Sequence, residues 1–408
     1  MSQIKNIIVS AYACEPNKGS EPGIGWHWVV ELARLGYNVN VITRANNQET
    51  ITEGLRKIET LNNLCFYYYD LPKWLKLTKK LPFGIYFYYF FWQLGIVSLA
   101  KKITINKKID LIHHITFGVF RHASFLWKLN TPFVFGPVGG GEMAPNRLLK
   151  TLPLVEYIKE CIRVFANYFF KQSPSLNRML KKTDLILCKT EDTLKFLPKK
   201  YANKMHVEMD IGTTGVNKKV EESVKNENLK VLYVGRFLGW KGIHLSIDAI
   251  NKANSKSENV DFTLIGKGPF KLFLEKKVKS KSINFVDWVT QEELFNYYSS
   301  FDCFLFPSFH DSSGSVILEA YSFGLPVISL NLGGPDKLVQ SDCGFKIIIE
   351  NKTADQISTE IANLLLELNN DKSKLTPLKE SAFSKAEYYK WSNTVKRTYK
   401  LIEDKVFQ

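Results

Sequence analysis

Two cations stand five positions apart in "VGRFLGWKG": Arg236 and Lys241, bracketed by Gly235, Gly239 and Gly242. Glycine lets backbone N–H groups come close to a ligand, and an arginine fork holds phosphate through two parallel hydrogen bonds. Such a stretch suits a diphosphate; a turn with two solvated basic residues is the plainer alternative. The complement lies in "HDSSGSVILEA", His310 to Ala320, after the apolar run "FDCFLFPS". Ser312, Ser313, Gly314 and Ser315 stand where a helix should begin, so their N–H groups form an anion site. Glu319 follows about one turn into that helix, where a carboxylate can accept both hydroxyls of a ribose. Asp311 is at the loop tip, eight positions before Glu319, free to meet a sugar hydroxyl. Each residue alone also reads as a cap or a solvated charge. Together they describe a grip on phosphate, ribose and sugar.

Those residues need strand ends and helix starts to hold them. "KVLYVGR", "VDFTLIG", "INFVDWV", "DCFLFPS", "PVISLN" and "CGFKIII" read as strands, alternating with the helical "IHLSIDAINKA", "EELFNYYSS" and "SVILEAYSFG". The first half alternates in the same way. "KNIIVSAY", "YNVNVITR", "KIDLIHHIT" and "PFVFGPVGGG" are strands, "TDLILCKT" closes the series, and "GIGWHWVVELARLG" is a helix ending at Gly36. A polar, apolar-poor stretch around residues 203–230 separates the halves. The expected fold class is α/β: two Rossmann-like, doubly wound domains, 1–215 and 216–384, facing each other across a cleft lined by strand C-terminal ends. The closing segment "SAFSKAEYYKWSNTVKRTYKLIEDK" reads as one or two helices.

A chain of 408 residues is too long for one compact core, and 45% hydrophobic with 23% charged residues is ordinary for a soluble protein. The net charge of +15 favours an anionic partner. The six cysteines, at 14, 65, 161, 188, 303 and 343, show neither metal spacing nor a disulfide framework, which fits a reducing cytoplasm. "MSQIKNIIVSAYA" runs straight into a strand, so no secretory leader is expected. The segment Leu81 to Ala100, "LPFGIYFYYFFWQLGIVSLA", is long enough for a span, but its tyrosines and Gln93 would lie deep in lipid. It reads as an aromatic core helix or, with its flanking lysines, as one partly inserted in a membrane surface. A nucleic-acid-binding protein would also use the positive charge, but no recognition helix, zinc knuckle or aromatic RNA-binding strand supports it. An NAD-dependent oxidoreductase lacks its signature, because "GSEPGIG" is mis-spaced for G-x-G-x-x-G.

"VGRFLGWKG", "LIGKGPF" and "PSFHDSSGSVILEAYSFGLPVISLNLGGP" resemble the GT-B retaining glycosyltransferases of family 4. The resemblance implies that Arg236 and Lys241 bind the donor diphosphate and stabilise the leaving group, and that Glu319 binds the ribose. Asp311 stands where the family usually has Glu, contacting the donor sugar; Trp288 and Val289 would lie near the nucleobase. In the first domain the resemblance is looser. It puts Gly19 and Ser20 on the loop that closes over the diphosphate, and the closing helix, 385–408, packed back on this domain. His113 or His114 would be the cleft histidine; adjacent strand residues point to opposite faces, which favours His114, nearer the strand end. Gly139, Gly140, Gly141 and Glu142 would be acceptor-side. The expected donor is a nucleotide sugar, UDP before GDP, with no metal, cofactor or nucleic acid. The expected acceptor is a glycan or lipid-linked glycan, at an anionic inner membrane face.

Overall fold

The computed structural model describes residues 4–80, 84–217, 228–256, 258–287 and 289–407. They form two compact units, Met1–Gly141 with Phe165–Ile211 and Trp391–Gln408, and Glu142–Val164 with Gly212–Lys390. In the first unit a parallel sheet holds β1 (Asn6–Ala11), β2 (Asn38–Arg44), β3 (Leu64–Tyr69), β4 (Leu111–Thr116), β5 (Phe133–Val138), β6 (Leu185–Cys188) and β7 (Met205–Val207). Their order is β3-β2-β1-β4-β5-β6-β7. The central strands are buried on both faces, which is why β1 carries Ile7, Ile8 and Val9 in succession and not an alternation. The series does not close with "TDLILCKT": β7 pairs in parallel beyond it. Met205 buries its side chain there, although the surrounding sequence is too polar to read as a strand.

Helix α1 (Ser20–Arg34) lays Trp28 wholly inside, its indole N–H donating to the Asp210 carbonyl at 3.0 Å. Helix α2 (Gly84–Asn106) contains most of the aromatic stretch. Tyr88, Tyr89, Trp92, Ile96, Ala100 and Ile103 recur every three or four residues and join the core cluster of this unit. Burial on that face makes α2 a core helix, with Tyr86, Phe87 and Phe90 exposed along its outer side. No helix among the described residues is long and apolar enough to cross a membrane. Residues 81–83, the start of that stretch, lie outside the described residues.

Helix α3 (Leu154–Lys171) begins in the second unit. That unit's sheet is β8 (Leu229–Val234), β9 (Val260–Ile265), β10 (Ile283–Val286), β11 (Cys303–Phe306), β12 (Val327–Leu330) and β13 (Gly344–Ile347). The order is β10-β9-β8-β11-β12-β13, again parallel throughout. Helices α4 (Ile243–Ala253), α5 (Gln291–Ser300) and α6 (Ser315–Ser322) belong to it. A capping box starts α5: the Thr290 side chain accepts from the Glu293 N–H while the Glu293 carboxylate accepts from the Thr290 N–H. Helix α7 (Trp391–Val406) ends the chain and clusters with the first unit, its Tyr399 hydroxyl 3.1 Å from His113 Nδ1. In each sheet the strand order reverses beside the first strand, between β1 and β4 and between β8 and β11. Ligands of doubly wound sheets bind at such switch points, beyond the strand C-terminal ends.

Candidate active site

In the second unit the charged residues gather at the β8–β11 switch point. Past β8 the chain turns through Gly235 to Arg236, whose side chain is exposed. A single 3-10 turn, Gly239–Lys241, then presents Lys241, and Gly242 closes it in the left-handed region at φ 66° to open α4. A Cβ at Gly242 would overlap the Pro307 carbonyl, so both space and φ demand glycine. Lys241 Nζ pairs with the Asp311 carboxylate and lies 4.5 Å from the Trp240 ring centre and 4.9 Å from that of Phe306. The two side chains are 15% and 16% exposed, so the pair is held between aromatic walls and still reachable. Asp311 sits beyond β11, on the loop leading through Ser312, Ser313 and Gly314 (φ 70°) into α6 at Ser315. That loop is moulded by the glycine pair Gly333 and Gly334. The Gly334 N–H donates to the Asp311 carbonyl at 2.7 Å, and a Cβ on Gly333 (φ 58°) would overlap the same oxygen.

Glu319 lies on α6 with part of its surface open to solvent and its carboxylate turned to the part-buried Tyr298 hydroxyl of α5, from which it accepts a hydrogen bond at 3.2 Å. The protein packed around it raises its pKa, and the Tyr298 bond opposes the rise. Tyr298 reaches Glu319 with no local sequence signal, because the two are 21 residues apart. Val289 is half-buried in the loop after β10, and Trp288 lies outside the described residues.

The first turns of α3 brace this loop cluster from within the second unit. His310 stacks on Trp240 (ring centres 4.6 Å, 22°) and its Nε2 lies 3.0 Å from Glu160 Oε2. Arg163 meets Glu160 at 2.8 Å and donates to the Glu142 carbonyl at 3.1 Å. Burial pushes the Glu160 carboxyl up, but the His310 and Arg163 contacts outweigh it and hold the pKa below the ordinary value. Glu142, expected on the acceptor side with the glycine run, clusters with the second unit, buried against the Gly333 turn. Its three glycine neighbours stay in the first unit. Gly139 exchanges backbone bonds with Gly118 and Phe120, Gly140 accepts from Asn167 at 2.7 Å, and Gly141 donates to Thr193 Oγ1 at 3.1 Å.

At the β1–β4 switch point of the first unit, Gly19 precedes α1 and Ser20 opens it at φ 58°. Glu21 accepts the Gly118 N–H at 3.1 and 3.2 Å. Behind Gly118 lies a buried ion pair, Lys189 with Asp210 at 2.7 Å. Burial raises the Glu21 pKa, Lys189 pulls it down and Asp210 pushes it up. These three charges meet only through the fold, so no spacing in the chain announces them. Strand alternation does not choose between the histidines, since both rings are buried. His113 Nε2 is 2.7 Å from the Gly136 carbonyl, and His114 Nε2 is 3.3 Å from the Phe117 carbonyl and 3.4 Å from the Tyr89 hydroxyl. Burial lowers His113 to about 3 and His114 to about 4, so both are neutral imidazoles.

Residues 216–377 match the family model described as Glycosyl transferases group 1. Among curated proteins the chain is 28% identical over 163 residues to the sulfoquinovosyl transferase of Arabidopsis thaliana, covering 40% of this chain and 30% of that one. It is 29% identical over 164 residues to the capsular polysaccharide biosynthesis glycosyltransferase CapM of Staphylococcus aureus, covering 38% and 42%. The match thus spans less than half the length of either relative. Among solved structures, the Anabaena protein HepE in complex with UDP-glucose superposes with a TM-score of 0.58 at 15% identity, over 98% of this chain and 99% of that one. The second unit therefore carries a domain of the glycosyl transferases group 1 family, in a chain with the GT-B fold of two doubly wound units.

Proposed function

We propose that the protein is a retaining glycosyltransferase that takes a sugar from a nucleoside-diphosphate sugar, a UDP-sugar before a GDP-sugar. The acceptor is a hydroxyl on a lipid-linked glycan, in bacterial surface-polysaccharide assembly at the cytoplasmic face of the membrane. One observation carries the reading: Lys241 and Asp311 pair at the ends of adjacent strands, beside the start of α6. When a donor enters, the Lys241 cation has a diphosphate to meet and the Asp311 carboxylate a sugar hydroxyl, so each finds a replacement for the other. Arg236 adds a second, exposed cation at the same strand end. Glu319 takes the ribose hydroxyls, oriented by Tyr298. As the bond from the anomeric carbon to the diphosphate oxygen breaks, negative charge grows on the leaving group, and the two fixed cations stabilise it there. They do the charge work of a divalent ion, so the reaction proceeds without one. The acceptor oxygen then bonds on the face the diphosphate leaves, and its proton passes to the departing diphosphate oxygen. Support for the UDP preference and the polysaccharide setting comes from the UDP-glucose-bound neighbour and the capsular relative.

The test is thermal unfolding of the full chain with UDP-, GDP- and ADP-sugars. Ligand at a hundred times its dissociation constant stabilises the native state by about 2.7 kcal/mol, a clear upward shift. The UDP-sugar is expected to give the largest shift. No shift with any of the three would overturn the proposal.

A further inference from the structure

Helix α3 is folded inside out. Placing its residues at 100° intervals, Leu154, Val155, Ile158, Ile162, Phe165 and Phe169 fall within an arc of about 100°, and every one of them is exposed. Leu154 is 71% and Phe165 72% exposed. The opposite side carries the polar groups, and those are the ones turned inward: Glu160 to His310 and Arg163, and Asn167 to the Gly140 carbonyl. An amphipathic helix of a water-soluble protein normally turns its apolar arc to the core. Here the arc runs the length of an 18-residue helix, about 27 Å, and needs something to cover it.

The charge around the helix selects the occupant. Between Met143 and Lys182 there are eight basic residues and two acidic ones, and one of those two, Glu160, is buried in its ion pairs. Lys150 is exposed just before the helix and Lys181 and Lys182 shortly after it, while Lys159 within it is exposed and paired with Glu156 at 2.6 Å. Aromatic and aliphatic groups on one face with lysines alongside, in a chain of net charge +15, are the composition of a helix lying in a membrane interface. A second copy of this chain would bring two such basic surfaces together, which like-charge repulsion opposes. We infer that α3 docks the protein on an anionic lipid surface, with the outward arc in the boundary between headgroups and acyl chains. This goes beyond the donor chemistry and does not depend on it.

The chain supplies its own probe. Cys161 is exposed on α3 beside the arc, and among the described cysteines only Cys65 is exposed as well. A Cys65→Ser variant labelled at Cys161 with a nitroxide is mixed, without donor or acceptor, with neutral phosphatidylcholine vesicles or with vesicles containing phosphatidylglycerol. The expected result is binding at least tenfold tighter to the anionic vesicles, with the label becoming accessible to lipid-soluble oxygen and shielded from an aqueous quencher. Phe165→Ser with Phe169→Ser should keep the thermal midpoint, since both rings are exposed, and lose at least tenfold in vesicle binding. Three results would overturn the inference: no binding at low salt, binding that the double substitution leaves unchanged, or a bound protein whose label stays in water. Light scattering adds a fourth. A dimer that the double substitution converts to monomer would mean a second copy covers the arc.

Discussion

Changing Glu319 to Gln should separate ligand binding from stability, and the two should move in opposite directions. The carboxylate is held by one hydrogen bond, from Tyr298 at 3.2 Å, and the protein around it raises its pKa above the ordinary carboxylate value. A carboxyl whose folded pKa lies above its unfolded one is better protonated in the native state, so its stabilising effect is lost as pH rises through the folded pKa. At neutral pH the ionised group therefore weighs on the fold. Gln keeps the volume and an acceptor for Tyr298 while removing the charge, so the thermal midpoint of the free protein should stay level or rise. Nucleotide binding should fall. A hydrogen bond to a charged acceptor is worth about 1.5–3 kcal/mol, which is a loss of about 10- to 150-fold in affinity. Calorimetric titration with UDP measures it, in parallel with a melting curve of the same sample. The wild-type affinity should also decline as pH falls through the raised pKa, and the Gln variant should lack that decline. A folded Gln variant that binds UDP as tightly as the wild type would refute the ribose assignment.

Removing either cation should act on the chemical step. Arg236→Ala and Lys241→Ala are each expected to lower kcat by about a hundredfold or more with a smaller change in the donor KM, and turnover should persist in EDTA. Loss of all activity in EDTA that magnesium restores would refute the metal-free scheme. Gly333→Ala adds a Cβ at φ 58° against the Asp311 carbonyl. A side chain in the left-handed region costs about 1–2 kcal/mol, so the midpoint should drop by several degrees and donor affinity with it; an unchanged protein would mean the turn does not mould the loop. The buried histidines set an acid limit. With folded values of about 3 for His113 and about 4 for His114, both below the unfolded value, stability is lost as pH falls below about 6.5, by about 2 kcal/mol per ring at pH 5. A melting temperature that does not fall between pH 7 and pH 5 would contradict that burial.

Much of the loop cluster at the β8 and β11 ends is legible in the chain because its determinants are local. Gly242 closes its own turn at positive φ, although the Pro307 carbonyl that also excludes a Cβ there comes from a distant strand end, and the serines, Gly314 and Glu319 follow one another along a single loop and helix. The parallel sheets are legible for a similar reason: strands buried on both faces read as apolar runs, and their alternation with helices admits few topologies. The last strand of the first sheet escaped because β7 is three residues long in a polar setting, and its pairing with β6 carries what its composition does not.

The first unit's charges illustrate the other limit. Glu21, Lys189 and Asp210 are scattered along the chain and converge at Gly118 only once the sheet is assembled. The adjacent histidines show that strand alternation assigns faces but not accessibility, since a sheet covered on both sides buries both rings. Helix α3 marks the division most clearly. The spacing of Leu154, Ile158, Ile162, Phe165 and Phe169 is enough to determine that the helix has an apolar side. Which side faces the protein is a tertiary decision. Glu160, already paired with Arg163 one turn along its own helix, finds His310, and Asn167 finds the Gly140 carbonyl; His310 and Gly140 are distant in sequence and satisfy groups that would otherwise be costly to bury.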